Sequence, residues 1–130
     1  MLPLSLPTIS NYDIECLDLA IEQNVDMIAV SRVRNDSTIK CIKKLLEQKK
    51  KDHGILVLAK ISTYEGLRNI NRILNVADGI VLQRNDLALE ISPSKVFIAQ
   101  KEIIGKCNKV IEIIKSNISS AVWEKVRRRQ

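Results

Sequence analysis

The sequence predicts an α/β fold in which short parallel strands alternate with helices. Three observations carry this. The chain is 45% hydrophobic yet holds only one Phe, one Trp and two Tyr, so its core must be built from Ile, Leu and Val. That composition suits parallel strands covered by helices better than a β-sandwich. Three short apolar runs, residues 25–31 (VDMIAVS), 55–61 (ILVLAKI) and 80–83 (IVLQ), are separated by stretches with helical spacing. No connection between them is long. The resulting order of helix, strand, helix, strand, helix, strand, helix is the signature of βα units on a parallel sheet, and 130 residues suffice for one ordinary domain.

Residues 1–10 are expected to be extended, broken by Pro3 and Pro7. Ser10 and Asn11 offer caps for a helix over about 12–23, with Ile14, Leu17, Ala20 and Ile21 as its apolar stripe and Asn24 as its stop. The strand 25–31 follows. Asn35, Asp36 and Ser37 open a second helix over about 36–50, which buries Ile39, Ile42, Leu45 and Leu46. The turn Asp52-His53-Gly54 leads into the strand 55–61, six of whose seven residues are apolar. Such a run reads as a strand buried on both faces. A third helix over about 64–75 turns Leu67, Ile70, Ile73 and Leu74 inward, and Asp78-Gly79 opens the strand 80–83. Ser92-Pro93 is a cap followed by proline at the first helical position. The helix that starts there carries Val96, Phe97, Gln100, Ile103, Ile104 and Cys107, and its periodicity extends to Ile111 and Ile114. Residues 121–129 read as a short amphipathic helix or a frayed tail.

Charge and cysteines narrow the function classes. The formal net charge is +6, partly from Lys49, Lys50 and Lys51 and from Arg127, Arg128 and Arg129. No aromatic platform lies among these residues, so they read as solvated helix ends rather than a nucleic-acid surface. Cys16, Cys41 and Cys107 fit no metal or redox spacing and fall in helical apolar patterns, which reads as buried reduced thiols in a cytoplasmic protein. His53, the single histidine, is expected at the surface without a role. The apolar amino terminus lacks the basic residues of a signal peptide, and no apolar run reaches the roughly 20 residues of a membrane span. No G-x-G-x-x-G or P-loop motif follows a strand.

In parallel α/β proteins, function gathers at the carboxyl ends of the strands. Those ends carry Ser31, Arg32 and Arg34, then Lys60 and Ser62, then Arg84 and Asp86. Lys60 stands out, because a lysine in an apolar strand is costly to bury unless an anion faces it. Several charged residues on one edge point to an anionic ligand.

Five blocks, read together, are similar to a known family: LPTISNYDIECL (6–17), EQNVDMIAVSRVR (22–34), AKISTYEGLRNINRIL (59–74), ADGIVLQRNDLALEI (77–91) and KVFIAQKEIIGKCN (95–108). They resemble pyruvate kinase of the animal type, in one register over about residues 5–109. The resemblance implies a partial (β/α)8 barrel: three consecutive parallel βα units, corresponding to the fourth to sixth of the family barrel. It divides the chain into a partial barrel domain, 1–109, and a divergent basic tail, 110–130, which shows no likeness to the family's seventh strand. It implies phosphoryl transfer from phosphoenolpyruvate to ADP, giving pyruvate and ATP in glycolysis, with Mg²⁺ and K⁺ as cofactors.

Carried over by position, Lys60 matches the lysine that stabilises charge on the transferring phosphoryl group. Asp86 matches one of two metal-holding carboxylates. The other belongs to the family's K-I-E-N, where this chain has Ser62. Asn85 and Asp86 match the Gly-Asp pair whose backbone receives the substrate carboxylate, so Asn85 departs from glycine there, and Ala88 replaces a second glycine. Arg32 stands where the family has Phe. The Mg²⁺ site is thus incomplete, and the K⁺ site, the remaining strands and the ADP site have no counterpart in these 130 residues. The expectation is a family member inactive alone. The alternative is a non-catalytic degenerate fragment that either associates with full-length pyruvate kinase subunits or has no function. With three strands, the sheet's two edges and its inward side chains would meet water or a partner.

Overall fold

The structure, a computed structural model, describes residues 9–110 and 113–116. The expected extended arm 1–8, the helix at 121–129 and the arginines at 127–129 lie outside the described residues.

The elements run α1 (Asn11–Glu22), β1 (Met27–Val30), α2 (Asp36–Lys49), β2 (Leu56–Ile61), α3 (Tyr64–Arg68), α4 (Ile70–Leu74), β3 (Gly79–Leu82), α5 (Arg84–Leu87), α6 (Pro93–Val110) and β4 (Ile113–Ser116). The strands form one open parallel sheet in the order β1-β2-β3-β4. Met27 pairs with Leu56, Leu58 with Gly79 and Gly79 with Ile113. Sequential parallel strands joined through helices are the (β/α) barrel connection, so the expected partial barrel is present. Its three anticipated strands occur close to their expected places.

β4 is a difference. Residues 103–114 keep a helical apolar spacing, but the helix stops at Val110 and residues 113–116 pair with β3. A short apolar run fits either state, and the open edge of β3 offers it a ladder of backbone hydrogen bonds. The third expected helix is also divided. Asn69 interrupts it, and its side-chain amide donates to the Arg34 carbonyl oxygen at 2.9 Å. The short α5 was not anticipated.

Helix ends follow their local chemistry. Ser10 and Asp13 form a capping box on α1, and Asn24 ends the helix in the left-handed region at φ 50°. Asn35 caps α2 through the Ser37 amide. The Thr63 hydroxyl accepts from the Gly66 amide at 3.1 Å, starting α3.

The core lies between the helices and one face of the sheet. Val57, Ala59 and Ile61 of β2 and Ile80 and Leu82 of β3 meet Ile39, Leu46, Ile73 and Ile103 there. Period-two alternation sends Leu56, Leu58 and Lys60 of β2 and Val81 of β3 to the opposite face. On that face Met27 and Leu56 are 36% and 38% exposed, as expected of a sheet without its remaining strands, but Leu58 and Val81 are buried. Asp78 ties the layers together. Its carboxylate accepts from the Val57 amide at 2.8 Å and from Lys43 Nζ at 2.7 Å.

Three further expectations change. Cys16 and Cys41 are exposed and only Cys107 is buried, because the first two lie beside their helices' apolar stripes rather than on them. His53 is half-buried: its Nδ1 accepts from the Ile55 amide at 2.9 Å, and its Nε2 lies 3.7 Å from the Glu47 carboxylate. It therefore braces the turn into β2. The lysines at the carboxyl end of α2 fasten it to α1 and to the turn after α1, Lys49 to Asp18 and Lys50 to Asn24. That agrees with reading this run as a helix end.

Candidate functional site

β2 brings Lys60 to the carboxyl edge of the sheet, and two backbone hydrogen bonds assemble the rim around it. The Val33 amide donates to the Lys60 carbonyl at 3.2 Å, which sets the turn after β1 against the end of β2. The Gln83 amide donates to the Ile61 carbonyl at 2.9 Å, which sets the start of α5 beside Ser62. Arg32, Lys60, Ser62, Arg84, Asn85 and Asp86 thus come from three adjacent strand ends, as the parallel register requires.

The environments of these residues differ. Lys60 is half-buried between Ala59 and Ile61, both of which are fully buried. Neither Lys60 nor Arg32 has a side-chain hydrogen-bond or ion-pair partner among the described residues. Arg32 is exposed and holds a left-handed backbone, φ 54°. That region costs a side-chain-bearing residue roughly 1–2 kcal/mol and persists where surrounding bonds impose it. Ser62 is 4% exposed and its Oγ is buried without a hydrogen-bond partner. Arg84 Nη1 donates to Gln100 Oε1 at 3.0 Å, while its buried Nε has no partner. Asn85 and Asp86 are exposed on α5.

Two positioning contacts carried no sequence signal of their own. Glu90 accepts from the Tyr64 amide at 2.7 Å, joining the segment after α5 to the start of α3. Gly66 lies against the turn after β1. A Cβ there would stand 2.4 Å from the Val33 carbonyl oxygen, so the rim is packed as closely as a hydrogen side chain allows. A groove of about 740 Å³ between α3, α4 and α6 contains none of the rim residues. It lies between helices and is lined partly by Leu67, Ile70, Ile91 and Ile98.

Chemically, the rim gathers donors. Lys60, Arg32 and Arg84 are cationic, Ser62 can donate a hydroxyl proton, and Asp86 is the single carboxylate among the six. Among the described residues, no three His, Cys, Asp or Glu side chains gather as a metal-ion site, and no helix is long and apolar enough to cross a membrane.

Comparison with known proteins agrees with this architecture. The family model described as the barrel domain of pyruvate kinase matches residues 2–119, which takes in β4. Pyruvate kinase of Dictyostelium discoideum is 43% identical over 105 residues, 81% of this chain and 20% of that protein. Pyruvate kinase of Staphylococcus aureus (strain MRSA252) is 43% identical over 107 residues, 82% of this chain and 18% of its own length. Pyruvate kinase PKLR of Homo sapiens is 39% identical over 105 residues, 81% of this chain and 18% of its own. The chain spans about a fifth of the length of the curated relatives it matches. Sequential parallel βα units, a lysine at the strand ends and a match covering most of the chain lead to one conclusion: the chain belongs to the pyruvate kinase family.

Proposed function

We propose that this chain carries the phosphate-handling portion of a pyruvate kinase barrel, the cytoplasmic glycolytic enzyme, and that its 130 residues do not transfer a phosphoryl group by themselves. The observation that carries this is Lys60, a half-buried cation without a partner among the described residues, at the carboxyl edge of the sheet beside a buried serine. In the reaction of the family, the phosphoryl group of phosphoenolpyruvate passes to ADP, giving pyruvate and ATP. Lys60 Nζ would hold charge on the transferring group, and the backbone of Asn85 and Asp86 would receive the substrate carboxylate. A fixed cation at developing charge contributes without reorganising during reaction.

The residues present supply only one of the two carboxylates with which the family holds Mg²⁺, so that site is incomplete. Mg²⁺ is held by one or two carboxylates in near-octahedral oxygen geometry. Here Asp86 is the one carboxylate of the pair, and Ser62 supplies a neutral hydroxyl that is buried and unpartnered. Phosphoryl transfer depends on positioning as well as charge, and aligned reactants can be worth about 7–11 kcal/mol of the barrier. Among the described residues none is assigned to holding ADP, so alignment of the two reactants is not supplied by this rim.

The test is pyruvate formation from phosphoenolpyruvate and ADP, followed through lactate dehydrogenase, for the chain and its Lys60→Ala variant. The expected result is no difference between them. Pyruvate formation above the variant's background would overturn the reading. Exposed Met27 and Leu56, paired in register on the inward face, favour a second reading in which the chain associates with full-length pyruvate kinase subunits. Co-purification with such subunits, lost in Leu56→Asp, checks it.

A further inference from the structure

We infer that the rim of this chain binds a phosphate monoester without a divalent cation, Arg32 supplying positive charge that a metal would otherwise provide. The inference rests on the reading above and specifies the ligand chemistry of the same site.

A divalent cation needs acceptors, whereas a phosphate dianion needs donors. The rim offers the second. Lys60 and Arg32 have no side-chain partner among the described residues, and Arg84 spends one nitrogen on Gln100 while its Nε donates to nothing. Arg84 is thus turned toward α6, and against Lys60 and Arg32 the rim residues set one carboxylate, Asp86. A divalent ion entering there would meet like charge, and a phosphate would meet opposite charge.

Ser62 sharpens the difference. An ionised glutamate at this position could only accept, and would repel a phosphate oxygen. Ser62 Oγ is buried with no partner, so it lies behind the rim surface, and its contribution here is the absence of the negative charge that a glutamate would have placed there. The charge removed at Ser62 and the charge gained at Arg32 act in the same direction.

Arg32 is held for this purpose by its backbone. The turn is fixed in the left-handed region, φ 54°, with the Val33 amide on the Lys60 carbonyl at 3.2 Å. That bond keeps Arg32 one residue from the strand that carries Lys60. Strained backbone of this kind concentrates at ligand sites, where the surroundings enforce it.

The experiment is calorimetric titration of the chain with phosphoenolpyruvate and with inorganic phosphate, each in EDTA and in Mg²⁺. Both ligands are expected to bind in EDTA. Arg32→Asn keeps a residue that tolerates the left-handed turn but removes the charge, and should weaken binding about tenfold, the loss of one charge-assisted contact. Arg32→Lys should keep most of the affinity. Ser62→Glu should weaken binding about tenfold in EDTA and recover it in Mg²⁺. Binding by the parent chain only in Mg²⁺, or equal binding by Arg32→Asn, overturns the inference while leaving Lys60 as a phosphate ligand. Lack of phosphoenolpyruvate binding under both conditions, or an unaffected Lys60→Ala, overturns the proposed function and the inference with it.

Discussion

Replacing Gly66 by alanine should destabilise the domain and loosen the rim together. A Cβ at residue 66 would lie 2.4 Å from the Val33 carbonyl oxygen, 3.3 Å from Thr63 Oγ1 and 3.5 Å from Ile61 Cγ2. Real Cβ atoms essentially never come nearer than 3.0 Å, so α3 and the turn after β1 must separate by at least about 0.6 Å, the difference between those distances. The obstructing atom is backbone, and its own residue donates to the Lys60 carbonyl. The turn therefore cannot give way without stretching that bond or dragging the end of β2. Overpacking of this kind costs about 1–3 kcal/mol. Alanine's better helix propensity returns up to about 1 kcal/mol, and the clash should win by about 1–2 kcal/mol. For a chain of this size, that lowers the thermal midpoint by about 4–7 °C.

Gly105 is the control. It is exposed within α6, and an added Cβ meets nothing within 4 Å. Gly105→Ala should stabilise the domain by about 0.5–1 kcal/mol through helix propensity and reduced unfolded-state freedom. Urea unfolding of both variants and the parent, followed by far-ultraviolet circular dichroism, compares them. A Gly66→Ala variant as stable as the parent would refute the packing argument. So would a loss at Gly105 as large as that at Gly66.

Asp78→Ala should cost about 1–3 kcal/mol, because it orphans the Val57 amide and releases Lys43 at once; urea unfolding of this variant checks that range. The capping box gives a pH dependence. The Ser10 backbone amide, then its hydroxyl, hydrogen-bond the Asp13 carboxylate and lower its pKa. The folded value lies below the unfolded one, so this contribution is present above the unfolded carboxylate pKa of about 3.9. It fades as pH falls through the folded value. Acid titration of α1 should show that loss in the parent and not in Asp13→Asn, an equal profile in both being the contrary result.

Much of the fold was legible because its signals are local. Ser92-Pro93 marks the start of α6, Asn24 marks the end of α1, and the apolar spacing of residues 39–46 names the buried face of α2. What was not legible depends on distant partners. The break at Asn69 uses the Arg34 carbonyl, 35 residues away. β4 pairs along the open edge of β3, a partner that the helical apolar spacing of residues 103–114 does not reveal. His53 resembles a surface turn residue until the Ile55 amide is placed on its Nδ1. The strand ends could be read as an anionic-ligand edge from charge and periodicity. The separate roles expected of Lys60, Ser62, Asn85 and Asp86 came only from family resemblance. Arg32 is visible in the sequence as a cation, but its left-handed backbone is a property of the fold.

The proposed function places the working surface of this chain at the carboxyl ends of β1, β2 and β3. Amide chemical-shift mapping during titration with phosphoenolpyruvate tests it most directly. The largest shifts should fall at Arg32, Lys60, Ser62, Asn85 and Asp86, and should vanish in Lys60→Ala. Shifts centred instead on the groove between α4 and α6, or on Lys49, Lys50 and Lys51, would contradict it.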